Sequence, residues 1–209
     1  MTVNALQDDR PIRAPSGISS TGAEKEQLLS AILWHSAALT RFEYFELDHR
    51  TFGYALRGVV LARLEGEPAE VVYDIECDRH WQTRRVGIVQ TCNSVVTALT
   101  LRVSEKQDWY NGNTLLPELG GLFDVDLAIT PSTNLLPLKR QPVAVGGTLE
   151  TRSAWVQFPS LDITPLTQTY TRTGEREYAY AAPSLDYKAR LTFDADGVCE
   201  SYGGLWARV

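Results

Sequence analysis

Asp124 and Asp126 alternate with Val125 and Leu127 in the run FDVDLAITPSTNLLPL, residues 123 to 138. Side chains two apart on a strand share a face at roughly 7 Å. The two carboxylates could therefore accept hydrogen bonds from sugar hydroxyls together, or hold a cation. Acidic groups in so apolar a run are costly unless something uses them. Two blander uses stand beside the binding role: a solvated strand face, and ion pairs with arginines such as Arg84 and Arg85. The Asp-X-Asp pattern also occurs in metal-dependent sugar-nucleotide transferases, but those need a nucleotide-binding α/β domain, whose pattern this chain does not show. Glycoside cleavage would need two carboxyls facing each other about 5 to 9 Å apart, a separation that sequence does not establish.

Other chemistry-bearing residues form no motif. His35, His49 and His80 have neither HExxH spacing nor a serine elbow to serve. Gly146-Gly147 and Gly203-Gly204 read as turns rather than phosphate loops. Cys77, Cys92 and Cys199 are widely spaced and odd in number, which favours free thiols over disulfides or zinc. No cofactor and no metal is expected. A net charge of −6 argues against nucleic acid as the partner. No apolar run approaches the ~20 residues of a transmembrane helix. The start lacks the basic-then-apolar pattern of a secretory signal, so the protein is expected in the cytoplasm. Trp81, Trp109, Trp155, Trp206 and nine tyrosines are spread through the chain. Such rings either pack the core and its rim or line a pocket that stacks on sugar faces and holds acyl chains.

The elements that must position these residues are mostly strands. Period-two alternation marks AEVVYDIECD, SVVTALTLRV, LETRSAWVQF and SLDYKARLTF as half-buried strands. Asn111-Gly112, Thr173-Gly174 and Asp194-Ala195-Asp196-Gly197 separate them as turns. Helical patterns do not alternate with the strands, so an antiparallel meander is favoured over a parallel βαβ sheet. Residues 123 to 129 read as a strand that becomes a helix. Thr130 suits its N-cap and Pro131 its first position, while Pro137 limits it to about two turns. Leu28, Leu29, Ile32 and Leu33 fall at helical spacing, which predicts a second short helix near the N-terminus. Residues 1 to 22 read as a flexible tail and 23 to 209 as one domain.

The run DVDLAITPSTNLLPLKR, with WQTRR before it, AWVQFPSLDITPLTQTY after it and YGGLWARV at the end, resembles the glycolipid-binding family of bacterial proteins. The resemblance covers about residues 32 to 209. It implies a mainly β fold: one large antiparallel sheet curved around a single α-helix, distantly like the lipoprotein localisation factors. It also implies a homodimer, and an acidic pocket that binds a glycolipid or a related sugar-bearing amphiphile. The family motif falls on Trp81, Thr83, Arg84, Asp124, Asp126, Thr130, Pro131, Thr133, Asn134, Arg140, Tyr170 and Trp206. The central helix is then residues 131 to 140, with the 24 to 33 segment as an added second one.

The expected function is non-enzymatic binding. Asp124 and Asp126 accept from ligand hydroxyls, Asn134 and Arg140 donate, and Trp81 and Trp206 stack. Arg84, Thr130 and Tyr170 complete the expected site. The rival is a hydrolase or transferase acting on a sugar-bearing lipid, with one aspartate as general acid or base. That chemistry would need a raised pKa on one of the pair.

Overall fold

The computed structural model describes residues 26–37 and 40–209. The tail expected over residues 1 to 22 lies outside them. Among the described residues, fifteen strands form one sheet. The first eight are β1 (Gln27–Ser36), β2 (Phe42–Arg50), β3 (Gly53–Leu64), β4 (Glu67–Asp78), β5 (Thr83–Cys92), β6 (Val95–Val103), β7 (Trp109–Asn111) and β8 (Thr114–Leu115). The remainder are β9 (Asp124–Leu127), β10 (Thr148–Val156), β11 (Ile163–Arg172), β12 (Glu177–Ala182), β13 (Tyr187–Phe193), β14 (Cys199–Tyr202) and β15 (Trp206–Arg208). The three turns read from the sequence fall between β7 and β8, β11 and β12, and β13 and β14.

Strand order makes two meanders joined at a seam. One runs from β8 back to β1, the other from β15 back to β10, with β9 outermost. The seam is the β1–β15 pair, with three residue pairs: Trp34 with Arg208, His35 with Ala207 and Ser36 with Trp206. Every neighbour is antiparallel except β9 and β10, which are parallel. That exception has a direct cause. Helix α1 (Leu135–Arg140), the one α-helix among the described residues, follows β9 and carries the chain back, making one βαβ unit at the sheet edge. The rest of the sheet is the large antiparallel sheet expected from the sequence.

A three-residue 3-10 turn, Ser132–Asn134, leads into α1, so the helical segment spans 132 to 140. Leu135, Leu136 and Pro137 are buried. Pro137 is tolerated because it lies in the first turn of α1, where its missing N–H loses no helical bond. Side chains of this segment and the turn before it reach strands from both meanders, as described below. The sheet is thus curved around the helix.

The second helix expected over 24 to 33 is not formed; residues 27 to 36 are strand β1. Ile32, Trp34 and Ser36 point into the core, while Leu33 stays exposed on the outer face. With apolar residues on both faces, the strand loses its period of two and imitates a helical stripe.

The outer face of β1 to β6 explains why. Cross-strand register places Leu33, Tyr44, Val59, Val72, Val89 and Ala98 in one continuous row. Phe42 and Leu61 lie opposite each other one pleat away. Toward the other end of the strands the same face turns polar, where Arg57 bonds Asp74 (2.9 Å) and Arg85 approaches Glu76 (3.5 Å).

Inside, Gly58 faces Tyr73 across β3 and β4. A Cβ on Gly58 would lie 2.3 Å from the Tyr73 ring, so glycine is what lets that ring lie flat over the strand.

Candidate functional site

The TPSTN stretch folds by bonding to itself. Ser132 N–H donates to Thr130 Oγ1 (3.0 Å), and Asn134 Nδ2 donates to the Pro131 carbonyl (3.0 Å). Leu127 N–H donates to Thr133 Oγ1 (3.3 Å). These short polar side chains take up backbone groups that the strand-to-helix change would otherwise orphan. The turn is then pinned to the sheet. Tyr170 on β11 donates to Asn134 Oδ1 (2.9 Å). Thr130 Oγ1 donates to Glu43 on β2 (2.7 Å), Tyr73 on β4 donates to Glu43 (2.5 Å), and the Tyr73 oxygen also shares a hydrogen bond with Ser132 Oγ (2.7 Å).

The two aspartates separate. Asp124 is wholly buried. Arg140 holds it with two bonds, Nε at 3.0 Å and Nη2 at 2.7 Å, and Thr151 Oγ1 donates to it at 3.3 Å. Burial pushes its carboxyl up, opposed by the Arg140 bonds and charge. The forked geometry is that of an ionised pair. Asp126 accepts instead from Thr133 Oγ1 (3.3 Å) and from Gln168 Nε2. Gln168 is itself set by Ser153, which donates to its Oε1 (2.8 Å), and by a bond from its Nε2 to the Tyr180 hydroxyl (2.8 Å). With no cation bonded to it among the described residues, burial raises the Asp126 pKa to about 6.

Asp126 borders a cavity of about 440 Å³ on the concave side of the seam. Its polar lining includes Thr130, Asn134, Tyr180, Tyr187 and Tyr202. Tyr187 and Tyr202 stack at 6.1 Å and 11°. Apolar walls come from Leu127, Leu166, Leu205, Trp155 and Trp206. One carboxylate, several hydroxyls and broad apolar surfaces suit a ligand that is part polyol and part hydrocarbon.

A family model described as "Putative glycolipid-binding" matches residues 31–208. The chain belongs to that family. The crystal structure of a DUF1089 family protein from Pseudomonas aeruginosa is similar, with a TM-score of 0.69 and 23% identity over 96% of this chain and 100% of that one. At that identity the likeness speaks for the fold. No curated protein matches.

The expected site of this glycolipid-binding family member is thus divided by the structure. Asp126, Thr130, Asn134 and Trp206 line the cavity. Tyr170 stands behind them, bonded to Asn134. Asp124 and Arg140 are spent on each other. Trp81 stacks on Tyr54 at 3.7 Å and 13°, with Lys139 Nζ 5.8 Å from its ring centre, and does not line the cavity. Arg84 bonds Asp78 (2.6 Å) and the Ser104 carbonyl (2.8 Å). Neither Arg84 nor Arg85 pairs with the two aspartates, as one sequence alternative supposed; Arg140 takes Asp124.

Sequence reasoning missed Gln168, the three cavity tyrosines and Glu43. Glu43 carried a signal: it shares a strand face with Phe45 and Leu47, and a carboxyl among core residues needs a reason. It is fully buried, one of its oxygens has no hydrogen-bond partner, and burial raises its pKa to about 8. It is therefore mostly protonated at neutral pH.

Proposed function

We propose that the cavity binds the sugar-bearing part of an amphiphile without turning it over. The observation that carries this is Asp126, a carboxylate fixed by Gln168 and Thr133 on the wall of a cavity whose remaining surface is largely leucine, tryptophan and tyrosine. A carboxylate and tyrosine hydroxyls can bond sugar hydroxyls, while the leucines and Trp206 take an alkyl segment. Membership of a family described as glycolipid-binding points to the same ligand class. Against the hydrolase or transferase, a carboxylate pair working across a glycosidic bond needs two members. Asp126 is the one carboxylate lining the cavity among the described residues, and Asp124 is held by Arg140.

Trp155 and Trp206 lie in the cavity wall and report on its occupancy. Titration with n-octyl β-D-glucoside below its micelle concentration is expected to change tryptophan emission saturably. Mass spectrometry of the native protein should reveal a sugar-bearing lipid carried through purification. Turnover of such a lipid, lost in Asp126→Asn, would instead favour the enzyme.

The same proposal includes a homodimer. The exposed row from Leu33 to Val89 is an apolar surface that association would bury. Light scattering at tens of micromolar decides it, since a monomer there would reject the dimer. Cys77, Cys92 and Cys199 are free thiols, which favours a reducing compartment such as the cytoplasm.

A further inference from the structure

One side chain in the cavity lining lacks the partner its chemistry calls for. Arg41 is half-buried just before β2, and it is the one cation lining the cavity among the described residues. Its guanidinium makes no hydrogen bond or ion pair with any described residue. The other arginines of the inner layer differ. Arg140 is forked onto Asp124, and Arg172 is bonded to the carbonyls of Val143 (2.7 Å) and Gly174 (3.2 Å). Asp126 does not serve as counter-ion to Arg41, because its oxygens accept from Thr133 and Gln168.

The backbone holds Arg41 where it is. Ser36 N–H donates to the Arg41 carbonyl (2.9 Å), and Arg41 N–H returns a bond to Ser36 Oγ (3.0 Å). Thr40 N–H donates to the same oxygen (3.1 Å), and Ala37 N–H ties this end of β1 to the Leu205 carbonyl (2.9 Å). Arg41 is therefore anchored to the cavity rim from both sides of its turn. A guanidinium drawn partly out of water without a counter-charge is unfavourable, and an anionic group from a ligand removes that cost. The planar fork of arginine matches carboxylate, sulfate and phosphate better than it matches a neutral hydroxyl.

We propose that Arg41 selects amphiphiles whose sugar head carries an anionic group, a carboxylate or an acidic ester, over neutral glycolipids. This rests on the reading of the cavity given above and adds the charge of the head. The uncharged hydroxyls of that head meet Asp126 and the tyrosines, and the anionic group meets Arg41.

The test compares wild type with Arg41→Gln and Arg41→Lys, each confirmed folded by its melting temperature. Each is titrated with n-octyl β-D-glucuronide, n-octyl β-D-glucoside and free glucuronate, followed by tryptophan emission or calorimetry. Wild type is expected to bind the glucuronide at least about tenfold tighter than the glucoside, as a charge-assisted bond implies. The ratio should fall towards one in Arg41→Gln, persist in Arg41→Lys, and shrink as salt is raised. Equal affinity of wild type for the two alkyl glycosides, or a preference that survives Arg41→Gln, overturns the role of Arg41 and leaves the cavity as a neutral glycolipid site. Failure of both alkyl glycosides to bind rejects the cavity reading, and this inference with it. Free glucuronate binding as tightly as the octyl glucuronide would keep the selection by charge but reject an amphiphile as the ligand.

Discussion

Strand β9 presents two carboxylates of the same chemistry to two different surroundings. Asp124 meets the end of α1, where Arg140 neutralises it and water is excluded. Asp126, two residues on, meets an amide and a hydroxyl at the border of a cavity. The first arrangement spends the acid on holding the helix against the sheet. The second leaves an acid whose hydrogen-bonding capacity is oriented but not neutralised. Spacing on a strand says that the two side chains share a face; it does not say that they share a role. The helix end at one, and the seam between meanders at the other, decide that.

The sharpest way to break this contrast is to remove Arg140. Arg140→Ala leaves Asp124 buried without its cation and should cost about 3–5 kcal/mol at pH 7 in denaturant unfolding. Part of this loss should be recovered at acid pH, where Asp124 can take a proton. A loss below about 1 kcal/mol would show that the pair does not hold the helix.

Asp126→Asn should do the reverse. Its shape is kept and no charge is stranded, so stability at pH 7 should not fall by more than about 1 kcal/mol, and loss of the buried charge can raise it. Affinity for a bound alkyl glycoside should fall by about 1.5–3 kcal/mol, the usual worth of a hydrogen bond to a charged group. Strong destabilisation with intact binding would place Asp126 beside Asp124 as a structural acid.

The third measurement is pH dependence. The folded-state pKa of Glu43 (about 8) and of Asp126 (about 6) both lie above their ordinary values of 4.5 and 3.8. Between the ordinary and the raised value the folded state holds more protons than the unfolded one, so stability falls as pH rises. Each group contributes up to about 1.4 kcal/mol per pH unit inside its window. Stability should therefore decline from about pH 4 to 8. Glu43→Gln should flatten the upper part of that slope, and Asp126→Asn the part below about pH 6. A slope unchanged by Glu43→Gln would mean that Glu43 ionises as readily folded as unfolded.

The smallest expected effect separates Trp81 from the cavity. Trp81→Leu removes its stacking on Tyr54 and should cost roughly 0.5–1.5 kcal/mol beyond the area lost. Ligand affinity should not change. A loss of binding would extend the site toward Trp81.

What sequence alone resolved follows from how local each signal is. The strand patterns around Val71, Leu99 and Leu191, and the turn at Asn111-Gly112, depend on near neighbours and recur in the structure. The helix near 131 to 140 was legible from Thr130, Pro131 and Pro137 for the same reason. Strand β1 was not legible, because Leu33 lies in an outer apolar row whose other members come from five later strands. The pairing of Asp124 with Arg140 depends on a helix reversing over its own strand, and the tyrosine wall on the register of β12, β13 and β14. Such juxtapositions exist only once the sheet is assembled. Thr130 and Asn134, read as candidate site groups, and Thr133 of the family motif are bonded locally within the turn as well.

The three-pair seam between β1 and β15 bears on how the protein is made. As the chain emerges, β1 to β8 can zip together by short hairpins, as β10 to β14 can later. The edge of β1 beyond Leu33, though, waits for Trp206 to Arg208, nearly the whole chain away. Until β14 and β15 are synthesised and inserted, Trp34 lacks its bond to the Cys199 carbonyl (2.8 Å) and Ser36 has no partner across the seam. A nascent chain stalled short of β15 would present an open strand edge to its surroundings. Completion of the cavity, whose lining includes Leu205 and Trp206, is thus tied to completion of the fold.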